Sequence, residues 1–384
     1  MIPRILHERL HWRQLLLALA CFAVPFLVLR LVVLGQEETP GWESLDSWPG
    51  DRAVRRLLIG GDDQDGVLYG SGEVGGLYVS GDGGASWRRA SLSAPSGLLG
   101  VTRLLDLVVD PTDARALYVV IESPGSTPRP MVYASGDGGL TWQVRGALGP
   151  KRVRALAYGP DPSEFYLALS DRVVVVDSAT MQRSAFAASD QALDAMPGFE
   201  LDPRVELTDL VVAGYPTDGD AERIVYVGTR DHGLQVYRGR PSTGFEAVDP
   251  GLDSDSRHIR EAACINQVCH HHSNAAVVCV GTDSGLFAST DGGATWFRTA
   301  YSLRNEQITS VRFGPHDKAI YVGIAGGGVY YSQDQGANWA PLGSGLGRVT
   351  PYDLILSGGD TLYAATDHGI WRIALEHAMQ EGRQ

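Results

Sequence analysis

The sequence predicts an all-β fold, a single seven-bladed β-propeller set behind an N-terminal transmembrane helix. Three observations lead there: a turn motif that recurs four times, strand-type runs that recur at regular spacing, and one long apolar stretch near the N-terminus. The composition agrees. Of 384 residues, 47 are glycine and 20% are charged, which suits short strands with tight turns better than helices. The net charge of -13 argues against a fold that grips nucleic acid through its phosphates. Four cysteines are too few to staple a chain this long, so stability must come from an ordinary core.

Residues 15–34 are apolar except for Pro25 and Arg30, long enough for a helix to cross a bilayer. Arg4, Arg9 and Arg13 precede the run, and Glu37 and Glu38 follow it. The positive-inside rule therefore places the N-terminus in the cytoplasm and the rest of the chain outside it. The stretch is longer than the apolar core of a signal peptide and no small-x-small cleavage site follows, so a retained anchor is expected. Ala18 stands where a lipoprotein at Cys21 would usually have Leu. The expected organisation is a cytoplasmic segment 1–14, an anchor 15–35, a linker 36–40, a propeller 41–375 and a tail 376–384.

The recurring motif supplies the fold. It reads Ser80-Gly-Asp82-Gly-Gly84-Ala-Ser-Trp87, Ser135-Gly-Asp137-Gly-Gly139-Leu-Thr-Trp142, Ser289-Thr-Asp291-Gly-Gly293-Ala-Thr-Trp296 and Ser332-Gln-Asp334-Gln-Gly336-Ala-Asn-Trp339. An aspartate here can accept backbone N–H bonds and close a loop between two strands. The glycine two places on tolerates a positive φ, and the tryptophan lays its ring over the turn. The fourth copy departs from the rest, with Gln335 in place of Gly and Asn338 in place of Ser or Thr, so weaker packing is expected there. Upstream runs such as Val225-Tyr-Val-Gly228, Val278-Cys-Val-Gly281 and Ile320-Tyr-Val-Gly323 fit the inner strands of the same units. Together they mark seven units starting near Val54, Val101, Val153, Leu207, Ile259, Ile308 and Val349. Units three, four and seven lack the motif.

The motif resembles the Asp-box, or BNR repeat, S-x-D-x-G-x-[ST]-W. Proteins that carry it include sialidases, sortilin-type receptors, xyloglucanases and the stability and assembly factors of photosystem II. The resemblance implies a propeller and assigns no activity, because in sialidases the boxes lie away from the active site.

The last unit stops after a third strand at Gly369-Ile-Trp-Arg-Ile-Ala, and a closed ring needs a fourth. Residues near Trp42 to Leu45 resemble the strands that begin at Trp87 and Trp339 and are expected to fill the gap. The stretch 187–205 interrupts the rhythm between units three and four. It reads either as a contact loop or as an ordinary surface loop.

Candidate chemistry is sparse. The F/Y-R-I-P arginine motif of sialidases is absent, and no P-loop, H-E-x-x-H or G-x-S-x-G turn occurs. Loop carboxylates at Asp161, Glu164, Asp231, Asp253, Asp255 and Asp283 could include a glycosidase pair, but nothing in the sequence pairs them. Cys264, Cys269, His270, His271 and His272 crowd together with Cys279 and His258 nearby. They read as a disulfide between Cys264 and Cys279, as a metal site, or as free thiols beside a solvated loop. The spacing matches no standard zinc motif. No catalytic residue or cofactor is expected.

Two functions remain. The first is a non-catalytic, membrane-anchored, extracytoplasmic scaffold that binds proteins and assists a membrane complex. The second is a carbohydrate-active protein, a sialidase-like glycoside hydrolase or a glycan-binding module. Bilayer contact through 15–35 and a membrane-protein partner go with the first, glycans with the second, and nucleic acid with neither.

Overall fold

The computed structural model describes residues 41–50, 53–60, 66–72, 76–90, 103–122, 130–147, 153–177, 197–214, 221–248, 259, 264–299, 301–314, 319–358 and 360–375. The expected anchor 15–35, its flanks and the tail 376–384 lie outside them. No helix among the described residues is long and apolar enough to cross a membrane.

Seven four-stranded antiparallel sheets make seven blades. Their innermost strands are Val54–Gly60, Arg103–Val109, Ala155–Tyr158, Leu207–Ala213, Ile265–His270, Ile308–Phe313 and Pro351–Ser357. A second strand such as Leu117–Glu122 shows why the chain folds this way. Leu117, Val119 and Ile121 pack towards blade 1, while Tyr118 and Val120 pack towards blade 3. Both faces of the sheet are buried, so a near-continuous apolar run replaces alternation. One such apolar cluster fills each interface between neighbouring blades, and these seven clusters are the core.

The ring closes as expected. Glu43–Ser44 pairs with Gly369–Ala374 as the outermost strand of blade 7, in register Glu43 to Arg372 and Ser44 to Trp371. Trp42 is buried and its indole N–H donates to the Leu342 carbonyl oxygen at 2.7 Å. Glu43 and Arg372 form an ion pair at 2.8 Å across the same seam.

Two expectations need correction. The innermost strand of blade 5 begins at Ile265, not at Ile259. Ile259 is buried in the cluster between blades 4 and 5 yet belongs to no strand, so its apolar character imitated a strand start. The stretch 187–205 is also partly strand rather than wholly an interruption. Gly198–Glu200 is the outermost strand of blade 3, and Phe199 stacks on Tyr237 with ring centroids 3.9 Å apart. Residues 178–196 lie outside the described residues.

Candidate functional site: the channel mouth

The four repeated turns share one set of hydrogen bonds. Ser80, Ser135, Ser289 and Ser332 each donate a hydroxyl to the aspartate two places on, at 2.7–2.8 Å. The same hydroxyls accept the N–H of Gly84, Gly139, Gly293 and Gly336. Ser86, Thr141, Thr295 and Asn338 each bond their aspartate twice, through backbone N–H and side chain. These bonds, led by the Ser86 hydroxyl at Asp82 and the Thr141 hydroxyl at Asp137, hold both carboxyls down at about 2. With so many bonds inside one hairpin, the turns hold strands together and leave little of the carboxylate for a ligand.

The fourth copy is not weaker in its bonds. Asn338 replaces the missing hydroxyl, donating at 2.6 Å, and the Trp339 indole still reaches the Gly336 carbonyl at 3.0 Å. Its cost lies in Gln335, the one non-glycine with positive φ among the described residues, at 60°. Gly83, Gly138 and Gly292 hold the equivalent place at 67–71°. Trp87 is the indole that differs. Its N–H is buried without a partner, and Trp48 packs edge-on against its ring.

The chain direction puts these turns on one face of the ring and the starts of the innermost strands on the other. At that second face the axis opens into a cavity of about 320 Å³. Arg55, Arg56, Asp209, Gln267, Tyr352 and Asp353 line it, with Thr208, Asn266, Gln307 and Thr309 at its rim.

The walls follow from a repeated irregularity. Innermost strands shift register after their first residues in blades 1, 2, 4, 5, 6 and 7, and Arg56, Asp106, Asp209, Gln267, Ser310 and Asp353 follow the shifts. A bulge takes the next backbone N–H out of the ladder, and a buried N–H needs an acceptor. Asp106 accepts Leu107 N–H of its own blade at 2.9 Å and Leu156 N–H of blade 3 at 2.7 Å. Asp209 accepts Leu210 and Val268 N–H in blades 4 and 5, at 3.0 and 2.8 Å. Asp353 accepts Leu354 and Leu57 N–H in blades 7 and 1, at 3.0 and 3.1 Å. Gln267 accepts Val311 N–H of blade 6 at 2.7 Å. One N–H from every blade is thus satisfied by four side chains.

Arg56 sits at the centre of this ring, 3.8 Å from Asp106. Burial works against its charge, but Asp106, Asp209 and Asp353 together more than compensate and hold it protonated. Burial likewise pushes the Asp106 and Asp209 carboxyls upward, with Arg56 opposing. Nearer the surface, the Arg55 guanidinium lies over the Tyr352 ring, 3.9 Å from its centroid.

The sequence-derived candidates fall elsewhere. Asp161 caps its own turn through Ser163. Glu164 makes a two-pronged ion pair with the fully buried Arg223, joining blades 3 and 4. Asp231 pairs with His232. Asp283 lies behind the cavity rim, where it accepts from Asn266 and Gln307 at 3.0 and 2.9 Å. Asp253, Asp255 and His258 lie outside the described residues.

The cysteine and histidine cluster does not converge. Cys264 precedes the innermost strand of blade 5 at the cavity face, and His270 ends that strand at the opposite face. His271 packs edge-on against Phe313, and no group of metal-ligating side chains is found among the described residues. The Cys264–Cys279 bridge is also corrected. Cys279 faces Cys269 directly, while Cys264 sits opposite Asp283, four residues farther along the partner strand and roughly 13 Å away at strand rise. All three thiols are free in the structure.

Sequence reasoning missed the acid ring, although a signal was present. Asp106-Leu-Val-Val, Asp209-Leu-Val-Val and Asp353-Leu-Ile-Leu repeat one pattern at the same place in three blades.

No family profile matches the chain. It is 25% identical over 234 residues to a xyloglucanase of Hypocrea jecorina (strain QM6a), a match that covers 59% of this chain and 24% of that protein. A xyloglucanase of Paenibacillus sp is 24% identical over 274 residues, covering 68% and 23%. The chain thus spans about a quarter of the length of these curated relatives. Among solved structures, the GH74 xyloglucanase from Xanthomonas campestris superposes with a TM-score of 0.63 at 19% identity, covering 90% of this chain and 55% of that one. YCF48 bound to D1 peptide superposes with a TM-score of 0.59 at 13% identity, covering 88% and 99%. These likenesses show the seven-bladed propeller fold.

Proposed function

We propose that this chain is an Asp-box propeller held at the extracytoplasmic face of a membrane by residues 15–35, where it serves as a non-catalytic, protein-binding scaffold for a membrane complex. The observation that carries this reading is the use of the channel carboxylates. Asp106, Asp209 and Asp353 each spend both oxygens on backbone N–H groups. A glycosidase needs one carboxyl free to give a proton and another free to attack or activate water. The aromatic ring at the mouth is also committed, since Arg55 covers the face of Tyr352 on which a sugar would stack. What the mouth offers is amides, hydroxyls and two arginines, suited to the polar groups of a peptide segment. The fold likeness to YCF48 bound to D1 peptide, matched over nearly that whole chain, agrees with a protein partner.

The second reading, a carbohydrate-active protein, is favoured by the sequence likeness to xyloglucanases. A pull-down of the full-length protein from its native membranes in mild detergent separates the two. The scaffold reading expects a membrane-protein subunit in stoichiometric amount, lost on Arg55→Glu. Recovery of the protein alone, with bound or cleaved oligosaccharide, would overturn it.

A further inference from the structure

Blade 5 carries a pair of thiols that neither the channel nor the repeated turns use. Cys269 and Cys279 are direct cross-strand partners on adjacent antiparallel strands, Ile265–His270 and Val278–Thr282. Opposed residues in such a pair project from the same face of the sheet. Both sit in the apolar cluster between blades 5 and 6, with Cys279 1% exposed. Two neighbouring positions fix the type of pair. His271 N–H donates to the Val277 carbonyl oxygen, and pair types alternate along the ladder, so Cys269 and Cys279 form a hydrogen-bonded pair. Their Cα atoms therefore lie about 5.5 Å apart, inside the Cα range of a disulfide, and closure requires the wider-set Cβ atoms of such a pair to draw together by about 1 Å.

We propose that Cys269 and Cys279 close a cross-strand disulfide when the chain folds in an oxidising compartment, with Cys264 left as a free thiol. The reaction is an exchange with a disulfide-bearing oxidant. One of the two thiols, as thiolate, attacks the oxidant's disulfide and expels one of its sulfurs. The second attacks the resulting mixed disulfide, and the oxidant leaves as a dithiol carrying both electrons and both protons. Burial raises both thiols in the folded blade, in the same direction as their mutual proximity acts on Cys279. Little thiolate is then available, so closure belongs to the stage before Phe313 and Ile320 of blade 6 cover the pair. Cys264 stands apart, its Sγ 3.4 Å from Asn266 Oδ1 near the channel mouth.

The test is thiol mapping on the full-length protein in detergent. The protein is unfolded and refolded in buffers of reduced and oxidised glutathione, then alkylated in denaturant without reductant. Trypsin releases residues 261–298 as one peptide holding all three cysteines. The expected result in oxidising buffer is a single alkyl group, located on Cys264, and three groups after reduction. Cys279→Ala should expose Cys269 to alkylation, and Cys264→Ala should leave the bridge intact. If Cys279→Ala fails to fold, the wild-type peptide alone decides. Three alkyl groups in oxidising buffer, or a bridge to Cys264, would overturn the pairing. A bridge that forms in this buffer, in protein whose thiols are all free when blocked at cell lysis, would support the pairing and count against the extracytoplasmic placement.

Discussion

Blades 1, 2, 5 and 6 carry the repeated turn and blades 3, 4 and 7 do not, and the two groups are fastened differently. In the first group, many bonds inside a single hairpin fix the outer half of the blade, and the preceding blade often adds a bond of its own. Arg88 donates to the Gly138 and Gly139 carbonyls, Arg238 to that of Asp291, and Tyr363 to that of Gly83. Blades 3 and 4 rely on a buried ion pair, Glu164 with Arg223, and blade 7 borrows a strand from the other end of the chain. Stability is therefore spread over many small local bonds in one group and concentrated in a few long-range contacts in the other.

That contrast sets the order of expected effects. Arg223 is fully buried, and truncating one partner of a buried pair leaves an uncompensated charge. Arg223→Met should cost about 3–5 kcal/mol in chemical denaturation. A loss below 1 kcal/mol would show that blades 3 and 4 do not depend on the pair. In a turn-bearing blade the comparison runs the other way. Gln335 holds a left-handed conformation that glycine adopts without strain, so Gln335→Gly should stabilise by about 1 kcal/mol. A neutral or destabilising result would mean that the Gln335 side chain contributes more than its backbone costs.

The smallest expected effect is on pH dependence, and it opposes turns to channel. Folding depresses the Asp82 and Asp137 carboxyls to about 2 from a usual 3.8, so their stabilisation is present above 3.8 and is lost as pH falls towards 2. Asp82 is exposed and Asp137 half-buried, and solvent screening keeps the effect small. Asp106 and Asp209 are raised instead, so their contribution is present below 3.8 and declines as pH rises through the folded value. Melting curves between pH 4 and 2 should steepen their fall with acid through the turns. Asp82→Asn with Asp137→Asn should flatten that slope, and an unchanged slope would remove the turns as its source.

The turns and the ring closure were legible because each is a local pattern or a strand count. Four copies of one motif fix four blades, and a missing fourth strand points to Trp42 and its neighbours. The channel was harder. An aspartate inside an apolar run reads as a solvent-facing residue unless the bulge before it is known, and the bulge is a property of pairing. Register hid the cysteines in the same way. Starting blade 5 at Ile259 hid the true register, whereas the strand from Ile265 to His270 sets Cys269 opposite Cys279. Arg223 and Glu164 lie 59 residues apart in different blades, so no local signal joins them.

On the proposed function, the channel carboxylates hold blades together and do no chemistry. Asp209→Asn and Asp353→Asn, compared with the wild type for melting temperature and for hydrolysis of xyloglucan oligosaccharides, test this. Each variant replaces an acceptor of two backbone N–H groups by one that serves a single N–H well, so each should lose about 1–3 kcal/mol of stability. Hydrolysis should be absent throughout. Hydrolysis by the wild type that disappears in either variant while the melting temperature stays unchanged would contradict the account.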